Sequence, residues 1–171
     1  MSKAEFSRPV DIRQADGKQA HLVANEAERA ALAGRFGLVR VDSLEAELLL
    51  DRIGNIVNAS GNLTAEIVQT CAVSAEDLPV SIREDVAFRF VPATDRGQPD
   101  EEIELDIAEL DEIEYVGTVF DLGEAVAQSL ALAIDPFATG NQADETRRKA
   151  GLLSEEDASP FAALKGLKLG K

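Results

Sequence analysis

The sequence is poor in the residue types on which cross-linked and reactive proteins depend. Its 171 residues include one Cys, one His, one Tyr and no Trp. A single cysteine, Cys71, makes an intrachain disulfide impossible. The first residues lack the apolar core of a signal peptide, and no stretch approaches the roughly 18 consecutive apolar residues of a membrane span. These absences argue against secretion and membrane insertion, and they favour a cytoplasmic protein.

The short motifs that mark common enzymes are absent as well. The chain has no phosphate-binding loop ending in Gly-Lys-Ser/Thr, no Gly-x-Ser-x-Gly turn and no Gly-x-Gly-x-x-Gly fingerprint. His21 has no cysteine or second histidine near it, and acids such as Asp111 and Glu112 are expected by chance among 32 carboxylates. We therefore expect no catalytic residue, no metal site, no cofactor and no small-molecule substrate. Binding and assembly are the better classes of function.

What the chain has in excess is negative charge, and this charge is unevenly distributed. The formal net charge is −15. Residues 1–40 hold seven basic and five acidic side chains, and residues 147–171 hold six and three, which leaves −20 on the 106 residues between them. Residues 95–114 alone contain ten acids and one base. This concentration favours a cationic partner, and a solvated acidic face kept for solubility is the alternative.

Much of the chain alternates polar and apolar residues with a period of two, which is typical of strands with one buried face. Residues 43–52 carry Leu and Ala on one side and acids on the other. Residues 80–90 alternate in the same way and turn Arg83 and Arg89 outward. Four further strands are predicted, with a break at Ser60-Gly61: 56–59, 62–71, 102–107 and 113–120. Their short connections favour antiparallel pairing.

Two segments have helical patterns, and each opens with a capping residue followed three positions later by a glutamate. The first is 25–34, which starts at Asn25. The second is 121–134, which starts at Asp121, places apolar residues on one stripe and is stopped by a proline. In both cases we expect the glutamate to reach back to the capping residue.

Together these elements predict an α+β domain over residues 1–137, mainly an antiparallel sheet with a helix near each end. The pattern leaves open whether the sheet is open, strongly curved or partly closed. Residues 138–159 are rich in Ala, Asp, Glu, Arg and Ser, which is typical of a mobile linker. Residues 160–171 then form a short basic amphipathic segment, so that the chain ends in a flexible tail.

This closing segment has the pattern of a docking peptide. A serine followed by proline suits a helix start, and the apolar residues after it fall near one face, beside two lysines. The residues that we expect to contact a partner are Pro160, Phe161, Leu164 and Leu167. A helix of this length is marginal in water until it is bound. Folding back onto its own domain is the alternative.

Four short stretches resemble one known family in their order and spacing. They are EFSRPV at 5–10, which we interpret as an opening strand, GNLTAEIVQTC at 61–71, FDLGE at 120–124 leading to LAIDP at 132–136, and SPFAALK at 159–165. The set is similar to the YceD family, the large ribosomal RNA subunit accumulation proteins, in a form typical of alphaproteobacteria. The resemblance extends over nearly the whole chain.

The resemblance implies a non-catalytic bacterial protein needed for the accumulation of 23S ribosomal RNA, and hence a role in building the large ribosomal subunit. The matched positions are Gln69, Cys71, Asp121 and Leu122. Local roles account for each: a hydrogen bond to a turn, filling of space, capping and core packing. Many family members have a second cysteine three residues after the first, where this chain has Ser74. One thiol and one hydroxyl make neither a tetrahedral zinc site nor a redox pair.

Two binding mechanisms are consistent with the charge pattern. In the first, basic residues contact the phosphates of precursor 23S rRNA or of an assembly intermediate, with little base stacking because aromatic residues are few. The candidates are Arg8, Arg13, Arg83, Arg89, Arg147, Arg148, Lys149, Lys165, Lys168 and Lys171. In the second, the acidic middle holds a basic ribosomal protein or assembly factor until RNA displaces it. The candidates there are Glu101, Glu102, Glu104 and Asp106.

The excess of negative charge favours protein binding for the body of the domain and leaves RNA contacts to the termini. If the family resemblance is fortuitous, the alternative is an acidic protein-interaction domain unrelated to ribosomes.

The acidic mechanism predicts the behaviour of a neutralised variant. Replacing the four carboxylates of residues 101, 102, 104 and 106 with the corresponding amides should abolish co-purification with a basic partner, because the attraction is electrostatic. Affinity capture of the tagged protein followed by identification of bound proteins measures this. Unchanged recovery of the partner would contradict a role for these four residues.

Overall fold

The computed structural model describes residues 4–93, 111–140 and 142–149, which form seven strands and three α-helices. The strands are β1 (Pro9–Asp11), β2 (Gln19–Val23), β3 (Arg40–Ile53), β4 (Ile56–Thr70), β5 (Asp77–Pro92), β6 (Asp111–Tyr115) and β7 (Val119–Asp121). The helices are α1 (Glu26–Phe36), α2 (Leu122–Ala133) and α3 (Ala143–Lys149), and a single 3-10 turn covers Ile12–Gln14. The α+β class predicted from the alternation is thus confirmed.

The strands form two sheets. Five of them lie in the order β2-β3-β4-β5-β6, and β1 pairs with β7 in a separate two-stranded sheet. The β2–β3, β3–β4 and β1–β7 pairs are antiparallel, as expected. The sheet is thus mainly antiparallel, and the exception is β5 with β6, which are separated by 18 residues in sequence and run parallel, with Phe88 opposite Asp111 and Phe90 opposite Ile113. Because β2 and β6 stand at opposite edges, the described strands do not close into a barrel.

The chain divides into two compact units. The first spans Met1–Gln69 and Pro79–Asp135 and contains the hydrophobic core. The second spans Thr70–Leu78 and Pro136–Lys171, and its described part includes α3. Helix α3 falls inside the range 138–159 that we interpreted as a linker. The predicted boundaries at residues 137 and 159 stay a prediction.

The core of the first unit forms because β3 and β4 each bury the apolar side chains on one face of the strand. The inward row of β3 consists of Leu44, Ala46, Leu48 and Leu50, each at most 3% exposed, as predicted for residues 43–52. The facing row of β4 includes Leu63, Ala65 and Ile67. Phe88 and Phe90 of β5 and the stripe of α2 complete this core. Each buried Leu or Phe side chain contributes about 1.5–3 kcal/mol to folding.

The predicted break at Ser60-Gly61 is wrong, because β4 runs through these residues without interruption. Gly61 is needed there for a close approach rather than for a turn. A Cβ atom built at Gly61 would lie 1.8 Å from the carbonyl oxygen of Glu47 on the neighbouring strand. The glycine therefore permits two backbones to come closer than any side chain would allow.

The predicted strand 113–120 is instead two strands that belong to different sheets. Tyr115 and Phe120 are both buried although they are five residues apart, which a single alternating strand does not permit. The turn at residues 116–118 interrupts the alternation of buried and exposed side chains. As a result, β6 pairs with β5 while β7 pairs with β1. The predicted strand 102–107 lies outside the described residues.

Both predicted helices of the domain are present. Helix α1 has the capping box of Asn25 and Glu28 in full, but it ends at Phe36 rather than at residue 34. Gly37, at φ +66°, supplies the left-handed residue that closes the helix. Helix α2 starts at the predicted cap, Asp121. Its glutamate does not reach back as expected, because Glu124 accepts hydrogen bonds from Arg35 and Gln128 instead.

The close approach at Gly61 predicts a large effect of one methyl group. Gly61→Ala should lower the free energy of unfolding by about 3 kcal/mol or more, since the Cβ meets rigid backbone on the neighbouring strand. Gly34→Ala is the matched control, because nothing lies within 4 Å of that position on α1. There the same change should stabilise the protein by about 0.5–1 kcal/mol. Urea denaturation measures both, and equal effects would refute the role of the strand approach.

Candidate functional site

Arg8, a candidate RNA contact, is held by the protein itself. Its guanidinium donates two hydrogen bonds to the carboxylate of Glu28, at 2.7 and 2.9 Å, and two more to the carbonyl oxygens of Ser7 and Val23. It also lies 4.5 Å from the centroid of the Phe6 ring. The Arg8 hydrogen bonds lower the pKa of Glu28 and keep the carboxylate charged. With this many internal partners, Arg8 is a structural residue in the described state.

Other arginines near the start of the chain are neutralised in the same way. Arg13 donates to both carboxylate oxygens of Asp11, at 2.9 and 2.5 Å. Arg35, which was not singled out from the sequence, bridges Glu5 at 3.0 Å and Glu124 at 2.8 Å. These contacts lower the pKa of Asp11 and of Glu124, in each case chiefly through the arginine hydrogen bond. The N-terminal region therefore offers less free positive charge than its composition suggests.

Arg83 and Arg89 have no such partner among the described residues. Both lie on β5 at positions that alternate with the buried Ile82, Phe88 and Phe90, so they face away from the core as predicted. In the part of the chain that the structure describes, neither takes part in an ion pair. Asp85 separates them on the same strand face, which makes this row mixed in charge.

The candidate RNA contacts of the tail fall partly outside the described residues. Arg147, Arg148 and Lys149 belong to α3, and Lys149 pairs with Glu145 at 2.9 Å one turn earlier. Three candidates lie beyond the described part of the chain: Lys165, Lys168 and Lys171. The predicted docking residues Pro160, Phe161, Leu164 and Leu167 also lie outside it, as do the acidic candidates Glu101, Glu102, Glu104 and Asp106.

Another acidic surface is formed by the strands β2, β3 and β4. We call it the acidic face and define it by four outward carboxylates: Glu45, Glu47, Asp51 and Glu66. Neither β2 nor β4 contains a lysine or arginine, and β3 has arginines only near its ends. Among the described residues, Glu45 lies 3.6 Å from His21, Glu66 accepts a hydrogen bond from Ser81, and none of the four carboxylates pairs with Lys or Arg.

The sequence contained the signal for this surface. The alternation at 43–52 places acids on the outward side of β3, which is the pattern that indicates this surface. The denser acidic run at 95–114 attracted the functional interpretation instead.

Three of the four family-motif positions have structural roles in the first unit. Gln69 is 5% exposed, and its side-chain amide donates a 2.7 Å hydrogen bond to the carbonyl oxygen of Asp135, at the end of α2. Asp121 accepts from the Ser7 hydroxyl and from the backbone amides of Arg8 and Glu124. The Asp121 carboxylate thus caps α2 and at the same time fixes the N-terminal segment to that helix. Leu122, the next residue, is 1% exposed and belongs to the core.

Cys71, in the second unit, is 3% exposed. Its sulfur accepts from the backbone amides of Ser74 and Gly140, both at 3.4 Å. A hydrogen bond from the Ser74 side chain, together with these amides, lowers the pKa of Cys71 to about 6. Ala75 follows with a left-handed φ of 60°, which closes the turn. The cysteine is therefore a buried acceptor for the turn at 71–75, in keeping with a space-filling position after a strand.

Within the described ranges, no three His, Cys, Asp or Glu side chains converge closely enough to hold a metal ion. In those same ranges, no helix combines the length and the apolar character that a bilayer crossing requires.

The fold and its surface define a class: an α+β domain with a neutralised N-terminal arginine set and an open acidic sheet face. Residues 59–168 match the family described as the large ribosomal RNA subunit accumulation protein YceD, and the chain belongs to this family. The match begins within β4 and includes all four family-motif positions. No curated protein and no solved structure matches the chain significantly.

The ion pair of Arg8 predicts a pH-dependent contribution to stability. Glu28→Gln should lower the free energy of unfolding by about 1 kcal/mol at pH 7, since the amide can keep the cap but not the charge. Because the pKa of Glu28 is lowered, this contribution is complete above the ordinary glutamate pKa and is lost as the pH falls through the lowered value.

Chemical denaturation at pH 7 and pH 3 measures this difference. Glu26→Gln, on the same helix turn but without a basic partner among the described residues, is the control and should have little effect at either pH. A Glu28→Gln effect that stayed constant as the pH fell would contradict the ion-pair explanation.

Proposed function

We propose that this protein is a non-enzymatic cytoplasmic factor that supports accumulation of 23S rRNA and assembly of the large ribosomal subunit by binding a basic ribosomal protein or assembly factor. The family to which the chain belongs is named for accumulation of large-subunit ribosomal RNA. The choice of a basic protein as the partner rests on the charges of the described residues.

The observation that supports the proposal is a contrast within the described residues: the N-terminal arginines form ion pairs, whereas the carboxylates of the acidic face have no Lys or Arg partner. Arg8, Arg13 and Arg35 are each within 3.0 Å of a carboxylate oxygen. The four carboxylates of the acidic face lack a Lys or Arg partner within the described residues. Within the described residues, these three arginines are therefore neutralised, whereas the four carboxylates of the acidic face keep unpaired negative charge.

Electrostatics then favours a cationic partner for this surface. Unpaired carboxylates on an exposed sheet repel phosphate and attract Lys and Arg, and complementary charge accelerates encounter and makes affinity sensitive to salt. A factor with such a surface can hold a basic protein until the more highly charged ribosomal RNA displaces it.

The residues available for chemistry support a non-enzymatic role. The chain has one histidine, His21, which is largely exposed and faces Glu45, and one cysteine, which is buried. Among the described residues, no Ser, Thr or Cys side chain is hydrogen-bonded to His21, and no His, Asp or Glu side chain is hydrogen-bonded to Cys71. The carboxylates with lowered pKa values, Asp11, Glu28 and Glu124, are partners in ion pairs with arginine, which accounts for their shifts without a catalytic task.

Direct contact with precursor rRNA is the second candidate, and Arg83 and Arg89 favour it. They are outward and unpaired within the described residues, and each could neutralise one phosphate. Two such contacts would give weak binding that falls steeply with salt.

Crosslinking in growing cells, followed by identification of both bound proteins and bound RNA, tests the proposal. We expect basic proteins of large-subunit precursors to be recovered, and the tagged protein to sediment with those precursors. Failure to associate with them would refute the proposal and leave an interaction domain unrelated to ribosomes.

A gel-shift experiment at low salt tests the RNA candidate separately. We expect no strong shift of precursor 23S rRNA, and no difference between the wild type and the double variant Arg83→Gln/Arg89→Gln. A shift that this variant loses would establish direct RNA contact in place of the protein-binding mechanism.

A further inference from the structure

A groove of about 570 Å³ lies on the sheet surface formed by β2, β3 and β4. Register places its side chains in two rows that cross the three strands. Gln19, Leu49 and Ser60 form one row, and His21, Glu47 and Asn62 form the next. All six side chains line the groove, and we call it the outer groove.

The outer groove combines polar side chains that can accept hydrogen bonds with one exposed aliphatic side chain. Within the described residues, the side chains of Gln19, Glu47, Ser60 and Asn62 make no hydrogen bond and no ion pair. Leu49 lies beside them and is 51% exposed, which is unusual for a leucine in the middle of a long strand. A small set of convergent polar groups around an apolar contact is the usual composition of a binding site.

Charge continues along β3 on both sides of this groove. The outward row of the strand is Glu45, Glu47, Leu49 and Asp51, so carboxylates stand at three of four successive outward positions. Such positions are roughly 6.6 Å apart along a strand. An extended peptide has the same spacing between alternate side chains.

We propose that the outer groove binds an extended basic segment of the partner protein, with Arg or Lys at alternate positions. One aliphatic stem packs on Leu49 while its charged head bonds to Glu47 and to the side-chain carbonyl of Asn62 or Gln19. The neighbouring basic residues meet Glu45 and Asp51. This inference rests on the proposed function, and it names the chemistry and the place of the contact.

A labelled peptide tests the site in the full-length protein. The probe is a fluorescein-tagged decapeptide of alternating Arg and Thr, and its control is a peptide of the same composition with the five arginines in one block. Fluorescence anisotropy at low and moderate salt gives the dissociation constants. We expect the alternating peptide to bind more tightly than the block peptide, because only its arginines match the carboxylate spacing.

Matched variants separate the outer groove from general attraction to an acidic protein. Glu45→Gln/Glu47→Gln should weaken binding of the alternating peptide by about fivefold or more, while Glu112→Gln/Glu114→Gln removes the same charge from β6 and should change it by less than about twofold. Equal losses from the two pairs would overturn the proposal, because only net charge would then matter.

The apolar contact has its own pair of variants. Leu49→Asn should weaken binding of the alternating peptide, whereas Val119→Asn, at a residue of similar exposure (46%) on β7, should not. Both positions are exposed, so urea denaturation should find both variants folded. An unchanged affinity for Leu49→Asn would remove Leu49 from the site and overturn the binding mode described above.

Sedimentation with large-subunit precursors tests the outer groove and the proposed function separately. If the wild type sediments with precursors and Glu45→Gln/Glu47→Gln does not, both proposals are supported. If both proteins sediment equally, the outer groove is refuted while the proposed function stands. If neither associates with precursors, or if the protein binds precursor RNA through this face instead, the proposed function fails with it.

Discussion

Burial of one face of the β2–β3–β4 sheet determines which side chains lie on the other, exposed face. In a strand, successive side chains point to opposite sides, so burying the Leu and Ala row of β3 forces its acids outward. A slip of one residue would expose the aliphatic row and bury the carboxylates, which is prohibitively unfavourable. The acidic face is therefore held in place by the core, and its exposed charges are a consequence of the same register that makes the fold stable.

Two arginines of the first forty residues connect separate elements of the fold. Arg8 connects the N-terminal segment to α1 through Glu28, and Arg35 connects α1 to α2 through Glu124. The Asp121 carboxylate adds a third connection, between the N-terminal segment and the start of α2. These contacts use up positive charge where the composition suggested an RNA-binding surface. The carboxylates of the acidic face remain without a Lys or Arg partner among the described residues, and the proposal of a basic partner rests on them.

Several elements could be predicted because their causes are local. The alternation at 43–52 and 80–90 specified strands and their buried sides, and the Asn25 and Asp121 caps specified two helix starts. Predictions failed where the cause was a distant residue. The β4 strand continues through Gly61 because Glu47 lies against it, and the stretch 113–120 divides because its halves pair with β5 and with β1. No pattern within either segment contains that information.

By itself, the sequence determined the class of fold, the family and the sign of the charge, since these follow from composition, from short-range periodicity and from ordered motifs. Only the tertiary structure decided which charges are free. Whether an arginine is available depends on carboxylates tens of residues away, as with Arg8 and Glu28 or Arg35 and Glu124. The assembly of Glu47, Leu49 and Asn62 into one groove likewise depends on strand register. Both are properties of side chains brought together across the chain, which a linear pattern of residues does not record.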